Sequence, residues 1–188
     1  MNKIVMLQRP KANKMQLKTL NKVENDLKKE MNKQIAIVSG SFGIALYENW
    51  GWRQNRIANL FSEINNAWTE VSNDNYLSML SLCEKETGIV IGIPEHDGNY
   101  NDLRYFQENP SKILDMTIEQ RIYMRLRMKK WIGAEMVASV LVALHRRYGF
   151  GVERLDRLYH QMEEVRDRYN WDEKLIENEC TRITQVMM

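Results

Sequence analysis

The chain has 188 residues, of which 44% are hydrophobic and 28% are charged, and its net charge is +2. This length accommodates one domain or two small ones, and the apolar fraction is close to that of globular proteins. No run of residues is long and apolar enough for a membrane span, and the first eleven residues lack the apolar core of a signal peptide. The sequence therefore predicts a soluble, cytoplasmic protein.

Charge is distributed unevenly along the chain. Residues 1–33 carry nine lysines and arginines against three acids, whereas residues 62–108 carry nine acids against Lys85 and Arg104. Either the basic end binds a polyanion, or the two regions fold against each other. The sequence alone leaves both interpretations open.

Helical periodicity dominates the first part of the chain. Apolar residues recur at steps of mostly three and four between Leu20 and Leu46, which predicts a long helix from Asn13 to about Asn49. Gly40 and Gly43 each cost about 1 kcal/mol within a helix relative to alanine. We expect these glycines to let another helix approach closely.

Two shorter helices are predicted next, at Arg53–Val71 and Asn75–Glu86. Asp74 is placed to cap the later helix, and Gly88 is placed to end it. Residues 13–88 thus form a first helical unit.

The composition changes at residues 89–115, which predict an irregular connector. Ile89 to Pro94 is typical of a short strand or an extended strap. Asp97-Gly98-Asn99 is typical of the tip of a turn. The connector therefore holds at most one short strand.

A second helical unit is predicted for residues 116–188. Thr117 and Gln120 fit a capping box that starts a helix running to about Arg147. After one further helix, Asp172 is placed to cap a last one. The predicted fold class is all-α: a tandem repeat of two helix–Gly-aromatic turn–helix–short helix units.

The two units match when the chain is shifted by the 98 residues that separate Gly51 from Gly149. Nine identities fall between residues 36 and 77, where composition alone predicts about two or three. They are Ala36/Ala134, Ser41/Ser139, Ala45/Ala143, Leu46/Leu144, Gly51/Gly149, Arg56/Arg154, Leu60/Leu158, Asp74/Asp172 and Leu77/Leu175. The alternative is mimicry between two amphipathic sequences. A shared register together with a shared glycine favours an internal duplication.

Each long helix is followed by an aromatic-glycine-aromatic turn. The turns are Trp50-Gly51-Trp52 in the first unit and Tyr148-Gly149-Phe150 in the second. Because both units keep the aromatic residues, we expect the aromatic side chains of each turn to fill the interior of their own unit. A functional difference should lie where the copies diverge, at Arg53-Gln54-Asn55 against Gly151-Val152-Glu153.

The hydrophobic residues around the turn glycine resemble the skeleton of the DNA-binding helix-turn-helix. Four positions before the glycine, where that motif has a small residue, this chain has Tyr47 and His145. Early exposed positions of the next helix carry side chains that pair with base edges. In the first unit these are Arg53, Gln54, Asn55 and Asn59. In the second unit the same positions carry Gly151, Glu153, Asp156 and Arg157, which would repel phosphate, so only the first unit is expected to read DNA. The alternative is a plain helical hairpin with polar solvent positions.

Basic residues are also distributed along the two predicted long helices. Lys14, Lys18 and Lys22 lie in the first long helix, and a second basic run spans residues 121–130. Such stripes bind phosphate with salt-sensitive affinity, although a solvated helix face has the same composition. We therefore predict DNA binding by the first repeat, with these three lysines contributing.

No motif predicts catalysis, a metal or a cofactor. Glu95-His96-Asp97 is more typical of a turn than of an acid–base or metal site. His145 and His160 belong to no ligand set. Cys83 and Cys180 are typical of small buried hydrophobic residues. The sequence therefore predicts a non-enzymatic protein.

The segments Ala143-Leu144-His145-Arg146-Arg147-Tyr148-Gly149-Phe150-Gly151 and Glu86-Thr87-Gly88-Ile89 resemble small uncharacterised proteins from early or regulatory regions of phages and prophages of Gram-positive bacteria. The resemblance covers the two turns and their flanks. It implies a protein of the bacterial host cell that regulates transcription or blocks host defence, and it implies no particular site residues.

Two functions therefore remain as alternatives. The first is a DNA-binding regulator. The second is an inhibitor that binds a host protein, such as a defence or polymerase component, and makes no DNA contact. The second predicts an exposed apolar patch that uses Trp50, Trp52 or Tyr100, and a homo-oligomer is compatible with either.

Overall fold

The computed structural model describes residues 14–73, 79–92 and 116–185. These residues form six helices and no strand. The helices are α1 Lys14–Trp50, α2 Gln54–Asn73, α3 Met79–Thr87, α4 Ile118–Tyr148, α5 Val152–Arg168 and α6 Glu173–Thr184. The predicted all-α class is confirmed, whereas the division into repeats at 13–88 and 116–188 stays a prediction.

The start of α4 has the local chemistry that its sequence predicts. The Gln120 amide donates to the Thr117 hydroxyl at 3.2 Å, and the Thr117 amide donates to the Gln120 side chain at 2.8 Å. Asp172 caps α6 by accepting a hydrogen bond from the Leu175 amide at 3.0 Å. The predicted cap at Asp74 lies outside the described residues.

The connector is described only at its beginning. Gly88 ends α3 with a φ of 73°, and its amide donates to the Glu84 carbonyl at 2.9 Å. Ile89 packs against the core while Val90 is exposed, and no strand forms over 88–92. The predicted turn at Asp97-Gly98-Asn99 lies outside the described residues.

The two long helices, α1 and α4, pack side by side in the same direction. In their middle parts, the Lys129 ammonium lies 3.6 Å from the Glu30 carboxylate. At their ends, the rings of Trp50 and Phe150 have centroids 5.0 Å apart. Because the middle parts of the two helices meet and their ends also meet, the pair is parallel and nearly in register.

The shorter helices cross from one long helix to the other. Although α2 and α3 follow α1 in sequence, they pack against α4, and α5 and α6 correspondingly pack against α1. The helix-turn-helix motif instead packs its two helices together directly across the turn. Each half of the chain therefore completes the core of the other half.

The core surrounds the later parts of the long helices. Among the described side chains, none before Gln34 in α1 and none before Glu135 in α4 is buried. The earlier parts, residues 14–33 and 118–134, are called the arm below. At 1.5 Å per residue the α1 part of the arm is about 30 Å long.

Gly43 permits a close helix contact, as the sequence predicts. A Cβ atom at this position would lie 2.7 Å from the Sγ atom of Cys180 in α6. Real Cβ atoms do not approach a neighbour this closely. The helix α1 continues through both Gly40 and Gly43.

The third helices of the two halves also correspond. The Thr87 hydroxyl donates to the Cys83 carbonyl at 2.8 Å, and the Thr184 hydroxyl donates to the Cys180 carbonyl at 2.6 Å. These pairs are separated by 97 positions in the sequence rather than 98. These pairs thus match at an offset one residue smaller than that of the turns, a difference that an ungapped comparison does not reveal.

Candidate functional site

The four turn aromatics form one cluster between the halves. Trp52 packs on Tyr148 with ring centroids 4.5 Å apart and on Phe150 with centroids 6.1 Å apart. Only 2% of Trp52 is exposed, and Trp50 is partly buried while its indole N–H donates to Gln161 at 2.8 Å. The expectation that each pair fills the interior of its own unit is therefore wrong, because the cluster joins both halves.

Both turns depend on a left-handed glycine. Gly51 has a φ of 65° and Gly149 has a φ of 63°. The amide of Trp52 donates to the Leu46 carbonyl at 3.1 Å, and the amide of Phe150 donates to the Leu144 carbonyl at 3.3 Å. The glycines therefore end the long helices and aim the aromatic side chains at the cluster.

Arg56 covers one side of this cluster. Its guanidinium carbon lies 4.2 Å from the centroid of the Trp52 ring and 5.1 Å from that of Tyr148. The Tyr148 hydroxyl donates to the Arg56 carbonyl at 3.1 Å, and burial raises the pKa of Tyr148. The two tryptophans consequently do not form the exposed apolar patch expected of an inhibitor, and Tyr100 lies outside the described residues.

The structure brings together three of the residues predicted to read DNA bases. Arg53 stacks on Tyr47 at 4.6 Å, Gln54 donates to the Gln185 carbonyl at 3.0 Å, and Asn55 is exposed beside them. They line a shallow cavity of about 400 Å³ near the end of α6. Asn59 is exposed on the next turn of α2 and does not line the cavity.

The predicted lysines lie at the opposite end of the long helix. Lys22 is exposed on the arm, whereas the side chains of Lys14 and Lys18 are not among those described. Lys22 is 28 positions before Trp50, which corresponds to about 42 Å along the helix. The lysines and the Arg53 cluster therefore do not form one surface.

The arm carries a strong positive charge. Residues 14–33 contain six lysines and three acids, and residues 118–134 contain five basic residues and one glutamate. Lys22, Lys28, Lys29 and Lys130 are exposed. The arm is thus a pair of parallel, basic helices, of which Trp131, Ile132 and Ala134 pack against the core.

The arm also exposes apolar side chains. Ile122, Tyr123 and Leu126 on α4 are 56%, 52% and 54% exposed. The Arg127 guanidinium carbon lies 5.7 Å from the centroid of the Tyr123 ring. Large apolar side chains on consecutive turns of one helix form an amphipathic surface.

A groove of about 420 Å³ lies where α1, α2, α4 and α6 meet. Its floor is apolar and consists of Ile35, Phe61, Ile64 and Met136. Glu173 and Glu177 of α6 stand on its rim. Sequence reasoning did not identify this groove, because its walls come from four separate helices. The available signal was a pair of acids four positions apart in an otherwise apolar helix face.

Other candidate chemistry has structural explanations where it is described. The Nδ1 atoms of His145 and His160 lie 2.9 Å from the backbone oxygens of Phe150 and Asp156, respectively. Cys83 and Cys180 are buried, and burial raises the pKa of both thiols. Glu95-His96-Asp97 falls outside the described residues.

No group of three or more His, Cys, Asp and Glu side chains that could hold a metal occurs over 14–73, 79–92 and 116–185. Within the same ranges, no helix combines the length and apolar character needed to cross a membrane. Comparison with protein families, curated proteins and solved structures found no match to this chain.

Proposed function

We propose that this chain is a non-enzymatic DNA-binding protein that holds duplex DNA with its arm. The observation that carries the proposal is the parallel pair of basic helices that forms the arm. Its setting, following the resemblance to phage and prophage proteins, is the cytoplasm of a bacterial host. Regulation of transcription is the role that such binding serves.

Each helix of the arm has a diameter that the major groove of DNA admits. That groove is about 12 Å wide and admits an α-helix, and proteins with basic zippers insert two helices that diverge from a parallel pair. In A-form RNA the corresponding groove is too narrow for side chains to read. A parallel basic pair therefore favours duplex DNA over duplex RNA.

The charge of the arm supplies the affinity. Lysines that neutralise phosphates release condensed counterions, so the affinity falls steeply as salt increases. Lys22, Lys28 and Lys29 are exposed on one stretch of α1, and Lys130 is exposed on α4. Phosphate contacts of this kind position a protein on DNA but carry no sequence information.

The cluster of Arg53, Gln54 and Asn55 is a second candidate surface for DNA. Its side-chain types suit base edges, but α2 packs against α4, and Gln54 is engaged with the end of α6. Because this cluster lies far from the arm, variants can separate the two surfaces. We assign the main contact to the arm.

The test is DNA binding by a charge-reversed arm, Lys22→Glu/Lys28→Glu/Lys29→Glu. We expect the affinity for a duplex to fall at least tenfold at low salt. The slope of log K against log salt should also become shallower by about one for each phosphate that the variant no longer neutralises. Fluorescence anisotropy with a labelled duplex measures both quantities. Lys14→Glu and Lys18→Glu extend the series toward the beginning of α1.

Two controls accompany this measurement. Lys174→Glu reverses an exposed lysine on α6 that is not part of the arm, and should change the affinity less than the arm variant does. Arg53→Ala/Asn55→Ala/Asn59→Ala removes the turn surface. If the arm variant binds duplex DNA as well as the unaltered protein does, the proposal is wrong. If only the turn variant loses binding, the turn rather than the arm holds the DNA.

A second candidate function is inhibition of a host protein without DNA contact. Exposure of Ile122, Tyr123 and Leu126 favours it, because apolar side chains on an exposed helix face mark protein interfaces. This function predicts that the protein shows no salt-dependent affinity for DNA. The same anisotropy series therefore distinguishes the two candidates.

A further inference from the structure

The groove between α2 and α6 distinguishes the two halves of the molecule. When the third helices are aligned by their Cys-Thr pairs, Glu177 of α6 corresponds to Leu80 of α3. Leu80 is 7% exposed and packs in the core, whereas Glu177 stands on the rim of the groove. One half therefore fills this position with a leucine, and the other half leaves a groove with a carboxylate.

Of the two carboxylates on the rim, Glu173 lies in the first turn of α6, where an acid stabilises the helix N-terminus, whereas Glu177 has no such role. Neither Glu173 nor Glu177 makes an ion pair or a side-chain hydrogen bond within the described part of the chain. They lie four positions apart on one helix face, where two like charges destabilise the helix by a few tenths of a kcal/mol. Both border a floor formed by Ile35, Phe61 and Ile64.

We propose that this groove binds a segment of a partner protein that carries a lysine or arginine beside apolar side chains. Charge complementarity selects the cation, because a charge-assisted hydrogen bond to a carboxylate is about twice as strong as a neutral one. The apolar floor receives the neighbouring side chains. Asn32 and Asn65 are exposed on the rim and offer amides to the backbone of that segment.

The shape of the groove selects a protein segment over a free small molecule. Small ligands occupy sites that bury most of their surface. This groove is lined by residues of four helices but is open on one side, so it contacts one face of its occupant. The proposal is independent of DNA binding, since none of the lysines and arginines of the arm lines the groove.

The experiment is a selection from random peptides displayed on yeast, with the full-length protein as the probe. Peptides that bind the unaltered protein are counter-selected against Glu177→Leu, which copies the leucine of the other half. We expect the surviving peptides to be enriched in lysine or arginine next to apolar residues. We also expect Glu177→Leu to raise the melting temperature, because the leucine fills the groove.

Isosteric variants then test the charges directly. Glu173→Gln/Glu177→Gln retains the shape of the groove and should weaken a selected peptide about tenfold, since each charge-assisted hydrogen bond becomes a neutral one. Glu164→Gln alters an exposed acid on α5 and serves as the matched control. Titration of a labelled peptide measures the dissociation constants.

Three outcomes would overturn the proposal. The first is a selection that yields no peptide dependent on the groove. The second is a set of peptides without an excess of basic residues. The third is equal affinity for the unaltered protein and the Glu173→Gln/Glu177→Gln variant. If the charge-reversed arm variant loses DNA binding but still binds the selected peptides, DNA binding by the arm and peptide binding by the groove are independent of each other.

Discussion

The two turn glycines show how single residues control this molecule. Gly51 and Gly149 adopt nearly the same left-handed conformation, and a Cβ atom on either would meet nothing within 4 Å. A larger residue is therefore disfavoured by backbone conformation and not by crowding. Each glycine also places two aromatic rings in the cluster that joins the halves.

We predict that Gly149→Ala destabilises the protein by about 1–2 kcal/mol, the cost of holding an L-residue in the left-handed helical region. The free energy of unfolding is measured by urea denaturation followed by circular dichroism. Gly151→Ala is the control: Gly151 lies two positions away with a φ of −79° and open space around it, and its replacement by alanine at the N-cap of α5 should cost less stability than replacement of Gly149 does. Equal losses in both variants would contradict the conformational explanation.

The helices themselves follow from local signals in the sequence. Thr117, Gln120 and Asp172 act on backbone amides within three positions, so the caps are readable without knowledge of the fold. The apolar steps of α1 likewise predict a helix that continues to the turn. The cluster of Arg53, Gln54 and Asn55 was identifiable because its members are contiguous in the chain.

At the level of elements, Gly43 allows α6 to pack closely on α1. We predict that Gly43→Ala destabilises the protein by about 1–2 kcal/mol, because displacing the Cys180 sulfur in a packed core costs more than the gain in helix propensity. Cys180→Ala removes that sulfur. The double variant should therefore lose less stability than the sum of the single variants, as measured by a double-mutant cycle.

Gly133→Ala is the control for this cycle. Gly133 also lies within a long helix, but the nearest atom to an added Cβ is the Gln34 side-chain oxygen at 3.9 Å, an ordinary contact. Alanine there should stabilise the protein by about 0.5–1 kcal/mol. Additive effects of Gly43→Ala and Cys180→Ala would show that the close contact does not limit the packing.

The pairing of helices was not readable from the sequence. The apolar stripe of α2, with Ile57, Leu60 and Ile64, fits the face of either long helix. The choice of α4 over α1 depends on the direction in which the chain leaves Gly51, a three-dimensional property of the turn. The groove was not predicted for the same reason: Phe61 of α2 and Glu177 of α6 come together only when the helices of the two halves pack against each other.

At the scale of the whole molecule, the short helices of each half pack on the long helix of the other half, and this makes the halves interdependent. The contacts that bury α2 and α3 come mainly from α4, and those that bury α5 and α6 come mainly from α1. Ion pairs reinforce the exchange: Arg168 donates to Glu48 at 2.9 Å, and Arg146 donates to Glu86 at 2.7 Å. Although both pairs are exposed and individually weak, they connect elements of opposite halves.

We predict that neither half folds as a stable monomer and that the two halves assemble when mixed. Residues 1–92 and 93–188, produced separately, should each show less helix by circular dichroism than their share of the intact protein. Each fragment alone exposes the apolar faces that the other half covers, and a unit of this size buries too little surface to compensate. Mixing should restore the helical signal with one-to-one stoichiometry, measured by sedimentation.

The control is the intact protein with a protease site inserted into residues 93–115. Cleavage there should leave the assembled halves together, because the contacts between them do not depend on an unbroken chain. Trp52→Ala in the first fragment should weaken assembly, since its ring packs on both Tyr148 and Phe150 across the boundary. A fragment of residues 93–188 that unfolds cooperatively as a monomer would contradict the interdependence, because its short helices would then have to bury their apolar faces on α4 instead of α1.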